Sequence, residues 1–183
     1  MKKRNPEKTR ATLIKAAAKE FESNGYDSTN SNKIAGTAGY APQTFYRYFD
    51  NKLDIFLAVY AQWTDDGGAG FDSTRNATAA AQYAVTHHRN ALNFRRALRH
   101  LAIIEPKVRA ARAANRLQQI NQIRERLPHL AAVETAELMA KLLQVERLVD
   151  ACAEGEFSDM GIADDQAMAI LSKHLTTVFG HHT

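Results

Sequence analysis

Cysteine is almost absent from this sequence, and its scarcity excludes several kinds of site. Among the 183 residues there is one cysteine, Cys152, so an internal disulfide and a zinc site with two or more thiolates are excluded. A lone thiol fits a reducing cytoplasm, where we expect the chain to work. No apolar run approaches the ~18 residues of a membrane span, and basic residues interrupt the segment after Met1. We therefore expect no membrane partner and no export signal.

Proline is also scarce, and patterns typical of strands are missing. The four prolines each stand just ahead of a stretch with helical periodicity: Pro6, Pro42, Pro106 and Pro128. Proline suits the first turn of a helix because its missing N–H would have no intrahelical partner there. No convincing stretch alternates apolar and polar residues as a half-buried strand would. The sequence therefore predicts an all-α fold of about nine helices.

Apolar spacing and turn residues place these helices along the chain. The first is predicted over Pro6–Asn24 with Gly25 as its stop, and a short second helix would begin after Asn30 as its N-cap. A fourth helix would begin after Asp50 or Asn51, and the acidic, glycine-rich run 65–70 predicts the clearest break in the chain. The remaining predicted ranges are 31–38, 42–49, 73–88, 90–104, 106–126, 128–154 and 163–179.

Charge is unevenly distributed along the chain. The net charge is +4, but residues 1–52 carry +5 and residues 75–126 carry +9, whereas residues 127–183 carry −6. A basic amino-terminal block indicates a polyanionic partner, with nucleic acid ahead of a membrane surface.

Two short helices joined by a tight turn predict a helix-turn-helix motif. Gly39 would end the first helix in a left-handed conformation, and Pro42 would start the second at once. The core between the helices would consist of Ile34, Phe45 and Phe49. The exposed part of the second helix would consist of Gln43, Thr44, Arg47 and the phenol ends of Tyr46 and Tyr48. Such a surface can meet the base edges and phosphates of DNA.

Residues 9–56 resemble the DNA-binding domain of the tetracycline-repressor (TetR) family. The motifs that carry the resemblance are Ala16-Ala17, Phe21, Gly25-Tyr26, Ile34-Ala35, Ala38-Gly39, Thr44-Phe45-Tyr46-Arg47-Tyr48-Phe49 and Asn51-Lys52. Three positions depart from the pattern: Ala41 replaces a Ser or Thr that would cap the next helix, Ser31 replaces an apolar residue, and Gly36 lies inside a short helix. The resemblance implies a three-helix DNA-binding domain at 1–52 and a helical effector-binding and dimerisation domain at 53–183.

The resemblance also implies roles for individual residues at DNA. Tyr40 and Gln43 would face base edges in the major groove, and Gln43 suits adenine. Phosphate contacts would come from Thr44, Tyr46, Tyr48 and Lys52. Further contacts would come from Asn32 and Lys33 in the preceding helix and from a basic arm of Lys2, Lys3, Arg4 and Arg10. The alternatives are half-buried core aromatics for Tyr46 and Tyr48, and solvated surface charges for Arg47 and the basic arm.

The last two predicted helices carry amphipathic stripes, which usually form intramolecular core. The resemblance implies instead that they pack on a twofold mate as a four-helix bundle. The residues assigned to this dimer interface are Leu138, Leu142, Val145, Val149, Cys152, Leu171, Leu175 and Val178.

Helices five to seven, which hold the second basic block, are where the resemblance places an effector pocket. The candidate lining residues are Tyr83, His87, Phe94, Leu98 and Arg112, although core packing explains them equally well. Arg109, Arg112 and Arg116 share one helical face, which predicts an anionic effector such as a carboxylate or an acyl-CoA-like ligand. The alternative is a solvated face that the acidic last helices balance.

These observations predict a dimeric transcriptional regulator, most simply a repressor that binds a palindromic operator and is released by a small molecule. The nucleophile elbow, the phosphate loop, the dinucleotide fingerprint and a His-x-x-x-His pair are all missing, so we predict no enzyme activity, no cofactor and no metal. Two alternatives stay open: a helix-turn-helix DNA-binding protein without an effector, and an enzyme in the helical carboxy-terminal half.

Overall fold

The computed structural model describes residues 5–180, and these residues contain helices and no strand. Lys2, Lys3 and Arg4 of the predicted basic arm lie outside the described residues. A 3₁₀ turn at Pro128–Leu130 precedes α8, and the α-helices are α1 Pro6–Asn24, α2 Ser31–Thr37, α3 Pro42–Phe45, α4 Lys52–Asp72, α5 Ala77–Arg89, α6 Leu92–Ile104, α7 Pro106–Arg126, α8 Thr135–Glu154, α9 Glu156–Asp159 and α10 Asp164–Phe179. The all-α prediction is confirmed, and α9 is a single turn that the periodicity did not reveal.

Capping residues set the ends of the amino-terminal helices. The Asn5 side chain accepts hydrogen bonds from the backbone N–H groups of Glu7 (3.0 Å) and Lys8 (3.3 Å), which fixes the start of α1. Asn30 caps α2 through the N–H of Lys33 at 3.0 Å, and Asn51 caps α4 through the N–H of Asp54 at 3.0 Å. These caps confirm the predicted starts, since each depends on residues within three positions.

The chain divides into two compact units. The first comprises residues 5–65 together with Asn93–Val108. In its core, Phe56 of α4 packs on Phe21 of α1 with ring centroids 5.3 Å apart and on Phe94 of α6 at 4.9 Å. Asn93 also donates to the carbonyl oxygen of Glu22 at 2.7 Å, so α6 is bonded to α1 in this unit.

The second unit comprises Asp66–Leu92 and residues 109–180. Helices α5, α8 and α10 pack around a core that includes Val85, Leu138 and Leu171. A largely buried pair, His88 Nδ1 and Asp150 Oδ1 at 2.8 Å, joins α5 to α8. The predicted domain boundary between residues 52 and 53 falls at the start of α4, and it stays a prediction.

The predicted break at 65–70 is wrong, because α4 continues through this run to Asp72. Gly67 and Gly70 lie against side chains of α5. A Cβ atom at Gly67 would come within 2.8 Å of His87 Nε2, and one at Gly70 would overlap the phenol of Tyr83. The two glycines therefore permit close packing rather than a turn. Above them the Tyr83 and His87 rings stack at 5.7 Å, and Tyr83 donates to the Asp66 carbonyl oxygen at 2.9 Å.

Candidate nucleic-acid interface

Helices α2 and α3 form the predicted helix-turn-helix. Gly39, with φ of 74°, follows the end of α2, and the N–H of Tyr40 returns to the Ala35 carbonyl oxygen at 2.9 Å. Pro42 then begins α3, and Ile34, Phe45 and Phe49 are buried as expected. No side chain caps α3, because Ala41 stands at the N-cap. The helix is a single turn, shorter than the predicted 42–49, and Tyr46–Tyr48 continue as a turn.

The motif presents a polar surface around α3 and the exposed side of α2. The side chains that face solvent there are Asn32, Lys33, Gln43, Tyr46 and Arg47, with Tyr40 and Tyr48 partly exposed. Tyr46 is 58% exposed, which contradicts the alternative that it is a half-buried core residue. Amide and phenol groups on such a surface can hydrogen-bond to base edges and phosphate oxygens.

Thr44 is an exception, because only 6% of it is exposed. Its predicted exposure is wrong: α3 has one turn, and Thr44 and Phe45 together occupy its buried side. A phosphate contact from the Thr44 hydroxyl would require local rearrangement.

Ser31 is a polar residue of this surface that sequence reasoning did not assign to DNA. Its hydroxyl lies 2.8 Å from the phenol oxygen of Tyr46, so a hydrogen bond joins the start of α2 to the residue after α3. The only signal in the sequence was that Ser31 stands where the family usually has an apolar residue. The contact between Ser31 and Tyr46 could not be predicted from the sequence.

Two basic residues that were predicted to contact DNA, Lys33 and Arg10, also interact with neighbouring groups of the first unit. Lys33 donates from Nζ to the carbonyl oxygen of Ser28 at 2.7 Å. The guanidinium carbon of Arg10 lies 5.2 Å from the centre of the Phe49 ring, within the range of a cation–π interaction. Both residues remain largely exposed, so their charges are available to a polyanion.

Lys52, the first residue of α4, is held more closely. Its ammonium donates to the carbonyl oxygen of Tyr26 at 2.8 Å and lies 4.0 Å from the centre of the Tyr26 ring. Burial lowers the pKa of Lys52, while the charge of Asp27 opposes that change. Burial also raises the pKa of Tyr26, reinforced by the charges of Glu105 and Asp27, so this phenol is neutral at neutral pH.

Most residues assigned to the dimer interface lie in the core of the second unit. Those that are buried within the single chain are Leu138, Val149, Cys152, Leu171, Leu175 and Val178, and Leu142 and Val145 are partly buried and pack against this core. A side chain that the protomer itself buries is not available to a partner, so an interface on these helices would have to use another face. The exposed apolar side chains in this part of the chain include Leu143 on α8, Met160 after α9 and Ile170 on α10.

An open groove of about 670 Å³ lies between α8, α9 and α10. Its apolar lining includes Leu143, Leu148, Phe157 and Met160. At its edge, the Arg147 guanidinium donates to both carboxylate oxygens of Glu156 at 2.9 and 2.6 Å, which raises the pKa of Arg147.

The residues assigned to an effector pocket are distributed over both units. Phe94 and Leu98 are buried in the first, whereas Tyr83 and His87 of the second pack over the glycines of α4. Their grouping into one pocket stays a prediction. Arg112 and Arg116 both bind the carboxylate of Glu146, at 2.9 and 2.7 Å, which favours the alternative of a charge-balanced face for these two arginines.

Within residues 5–180, no helix is long and apolar enough to cross a membrane. The same part of the chain brings together no group of three or more His, Cys, Asp or Glu side chains that could hold a metal ion.

Residues 13–59 match the sequence pattern of a protein family described as bacterial regulatory proteins, tetR family. Over 50 residues the chain is 40% identical to the fatty acid metabolism regulator protein of Bacillus subtilis (strain 168), in an alignment that covers 27% of this chain and 26% of that protein. The chain matches about a quarter of the length of its curated relatives.

Solved structures extend the similarity of fold to nearly the whole chain. A putative TetR-family transcriptional regulator from Rhodococcus sp. superposes with a TM-score of 0.71 at 19% identity, over 94% of this chain and 99% of that one. A putative transcriptional regulator from Saccharomonospora viridis in complex with choline gives 0.66 at 16% identity, over 92% and 96%.

Proposed function

We infer that the chain belongs to the tetR family of bacterial regulatory proteins. From this premise it follows that the chain is a DNA-binding transcriptional regulator. The observation that carries this proposal is the match of residues 13–59, which fold as a helix-turn-helix with a polar, exposed surface. We propose that it acts in the cytoplasm as a homodimer, represses transcription from a palindromic operator and is released by a small molecule.

Recognition of DNA would divide between base and phosphate contacts. In the proposal Tyr40 and Gln43 read base edges in the major groove, and the Gln43 amide can pair with adenine N7 and N6. Tyr46, Tyr48, Asn32, Lys33, Arg10 and Lys52 supply contacts that are mainly to phosphates and that position the motif without reading sequence.

Dimerisation follows from the small footprint of one recognition helix. A single α3 reaches only a few base pairs, and a twofold dimer doubles that number with half-sites spaced by helical turns of the DNA. We propose that the α8–α10 face with Leu143, Met160 and Ile170 forms the interface. Its support is the apolar lining of the groove together with the exposed side chains of Leu143, Met160 and Ile170, which a second copy could cover.

Release by an effector would be a shift of population between two dimer states. A ligand that binds the DNA-incompetent state more tightly lowers operator occupancy tenfold for every ~1.4 kcal/mol of differential affinity. The choline complex of a structural relative supports a small-molecule effector for this fold. The basic residues of 75–126 favour an anion, which at Arg112 and Arg116 would compete with Glu146.

Fluorescence anisotropy on DNA that flanks the chain's own coding region tests the proposal. We expect two protomers to bind one palindromic site at least about a thousandfold more tightly than scrambled DNA. Gln43→Ala should lose this preference while keeping its affinity for scrambled DNA, because Gln43 contacts bases. Gln118→Ala, at an exposed position of α7, is the matched control and should change neither value.

The opposite result would be equal affinity for both DNAs that collapses as salt rises, which is the behaviour of a basic surface without sequence recognition. Operator binding that no added small molecule weakens would favour the alternative without an effector. The alternative of an enzyme has no support from the family that residues 13–59 match.

A further inference from the structure

We propose that Tyr26 is a positioning residue for DNA binding, whose ring and carbonyl oxygen hold the Lys52 ammonium ready for a backbone phosphate. This inference rests on the proposed function, because it concerns the same DNA-binding domain. Tyr26 lies in the turn after α1 and is not itself an expected DNA contact.

Two separate groups of Tyr26 bind the ammonium of Lys52. The carbonyl oxygen accepts a hydrogen bond at 2.8 Å, and the ring centre lies 4.0 Å from Nζ. A lysine ammonium has three donors. The carbonyl takes one and the electron-rich ring face attracts the charge without a directional bond, so donor capacity remains for a phosphate oxygen.

Tyr26, which holds Lys52, is itself fixed by contacts of its ring and its backbone. The Tyr26 ring packs edge-on against Phe56 with centroids 5.1 Å apart and lies 5.6 Å from the ring of Phe21. Its carbonyl oxygen also accepts the N–H of Thr29 at 3.2 Å, and the buried Thr29 hydroxyl donates to the carbonyl oxygen of Gly25 at 2.8 Å. The turn at 25–29 therefore cannot move without breaking several contacts.

This arrangement lowers the conformational entropy that Lys52 loses when it binds a phosphate. A free lysine side chain loses its rotamer freedom when it binds a phosphate, whereas Lys52 is already ordered before DNA arrives. Asn51, one residue earlier, fixes the start of α4 through Asp54, so the backbone of Lys52 is ordered as well. The ordering requires the electron-rich face of the Tyr26 ring, and this requirement can be tested without changing the shape of the ring.

A fluorination series at position 26 provides that test in the full-length chain. Phenylalanine and its difluoro and pentafluoro analogues keep the ring but progressively reverse the charge distribution on its face. Each variant is titrated with a random-sequence 30-bp duplex and with the operator, because phosphate contacts contribute to both. Thermal melting of each variant checks that the fold is retained.

We expect Tyr26→Phe to bind both DNAs as the unsubstituted chain does, and fluorination to weaken binding stepwise, by about three- to tenfold in all. In a Lys52→Met background the series should be flat, and Lys52→Met alone should reduce the slope of log affinity against log salt by about one phosphate contact, ~0.9. If the Tyr26 ring only supports the fold, fluorination should instead lower the melting temperature and weaken DNA binding equally with Lys52 and with Lys52→Met.

The inference is overturned if fluorination has no effect with Lys52 present, or has the same effect in the Lys52→Met background. Either result can occur in a chain that binds its operator specifically, in which case the proposed function stands. If the unsubstituted chain shows no preference for the operator, the proposed function is overturned. The titrations with the random-sequence duplex would still decide the role of Tyr26.

Discussion

At the scale of single residues, only one of the two glycines of the helix-turn-helix has a backbone conformation that requires glycine. Gly36 lies inside α2 with ordinary helical geometry, and a Cβ atom there would meet open space. Gly39 has φ of 74°, in the left-handed region that L side chains rarely adopt. A methyl group is therefore tolerated at the first position and strained at the second.

Gly36→Ala should raise the free energy of unfolding by about 0.5–1 kcal/mol, since alanine loses less conformational entropy than glycine inside a helix. Gly39→Ala should lower it by about 1 kcal/mol. Urea titrations followed by circular dichroism measure both changes. Equal destabilisation by the two substitutions would show that the α2 surface at Gly36 is not free.

Residue-level prediction succeeded where the cause is local. Asn30 and the buried positions of Ile34 and Phe45 follow from neighbours within one helical turn. Thr44 was misplaced because it lies on the buried side of the one-turn α3. The ring contact that holds Lys52 joins residues 26 positions apart. Sequence spacing does not encode either fact.

At the scale of elements, the packing of α5 on the carboxy-terminal part of α4 depends on glycine. Gly70 lies directly under the Tyr83 phenol, whereas Gly68, two residues earlier on the same helix, has no atom within reach of an added Cβ. These two positions share a helix and differ mainly in what packs above them, so they form a matched pair.

Gly68→Ala should stabilise the chain by up to about 1 kcal/mol, the propensity gain of alanine over glycine. Gly70→Ala should be at least about 1 kcal/mol less stable than Gly68→Ala, because Tyr83 must leave its bond to Asp66 and its stack on His87. The difference should vanish in a Tyr83→Ala background. Persistence of the full difference there would assign the cost of Gly70→Ala to something other than Tyr83.

The same glycines explain why the carboxy-terminal part of α4 was predicted poorly, whereas both ends of α1 were predicted well. The range Pro6–Asn24 follows from a cap and a proline at the start of the helix and a glycine directly after its end. A glycine-rich run is equally consistent with a turn and with a close helix contact, and the choice depends on Tyr83 and His87 of another helix. Local sequence therefore predicts where such a helix begins more reliably than what its glycines do.

At the scale of the whole molecule, the amphipathic stripes of the last helices were predicted correctly from their spacing. They pack into the protomer's own core, whereas the prediction placed them against a partner. Leu138 and Leu171 are fully buried, so the exposed apolar residues of α8, α9 and α10 are the candidates for contact with a second copy. Periodicity identifies an apolar face but does not distinguish an internal neighbour from an external one.

Leu143→Glu should convert the dimer to monomers and weaken operator binding at least about tenfold, because a buried unpaired carboxylate opposes the interface. Leu117→Glu is the matched control: Leu117 is 49% exposed and Leu143 is 41% exposed, but Leu117 lies on α7. Sedimentation equilibrium over a range of concentrations distinguishes the variants. A Leu143→Glu chain that dimerises as the unsubstituted chain does would place the interface elsewhere.

The aromatic cluster of the first unit has a consequence for building hybrid regulators. Phe21 and Tyr26 precede residue 52, whereas Phe56 and Phe94, which pack in the same cluster, follow it. A cassette that transfers only residues 1–52 to another protein would leave half of this cluster behind and pair the rest with foreign side chains. An exchange of operator preference between relatives should therefore graft the recognition surface alone, or carry the first turns of α4 and the matching face of α6 with it.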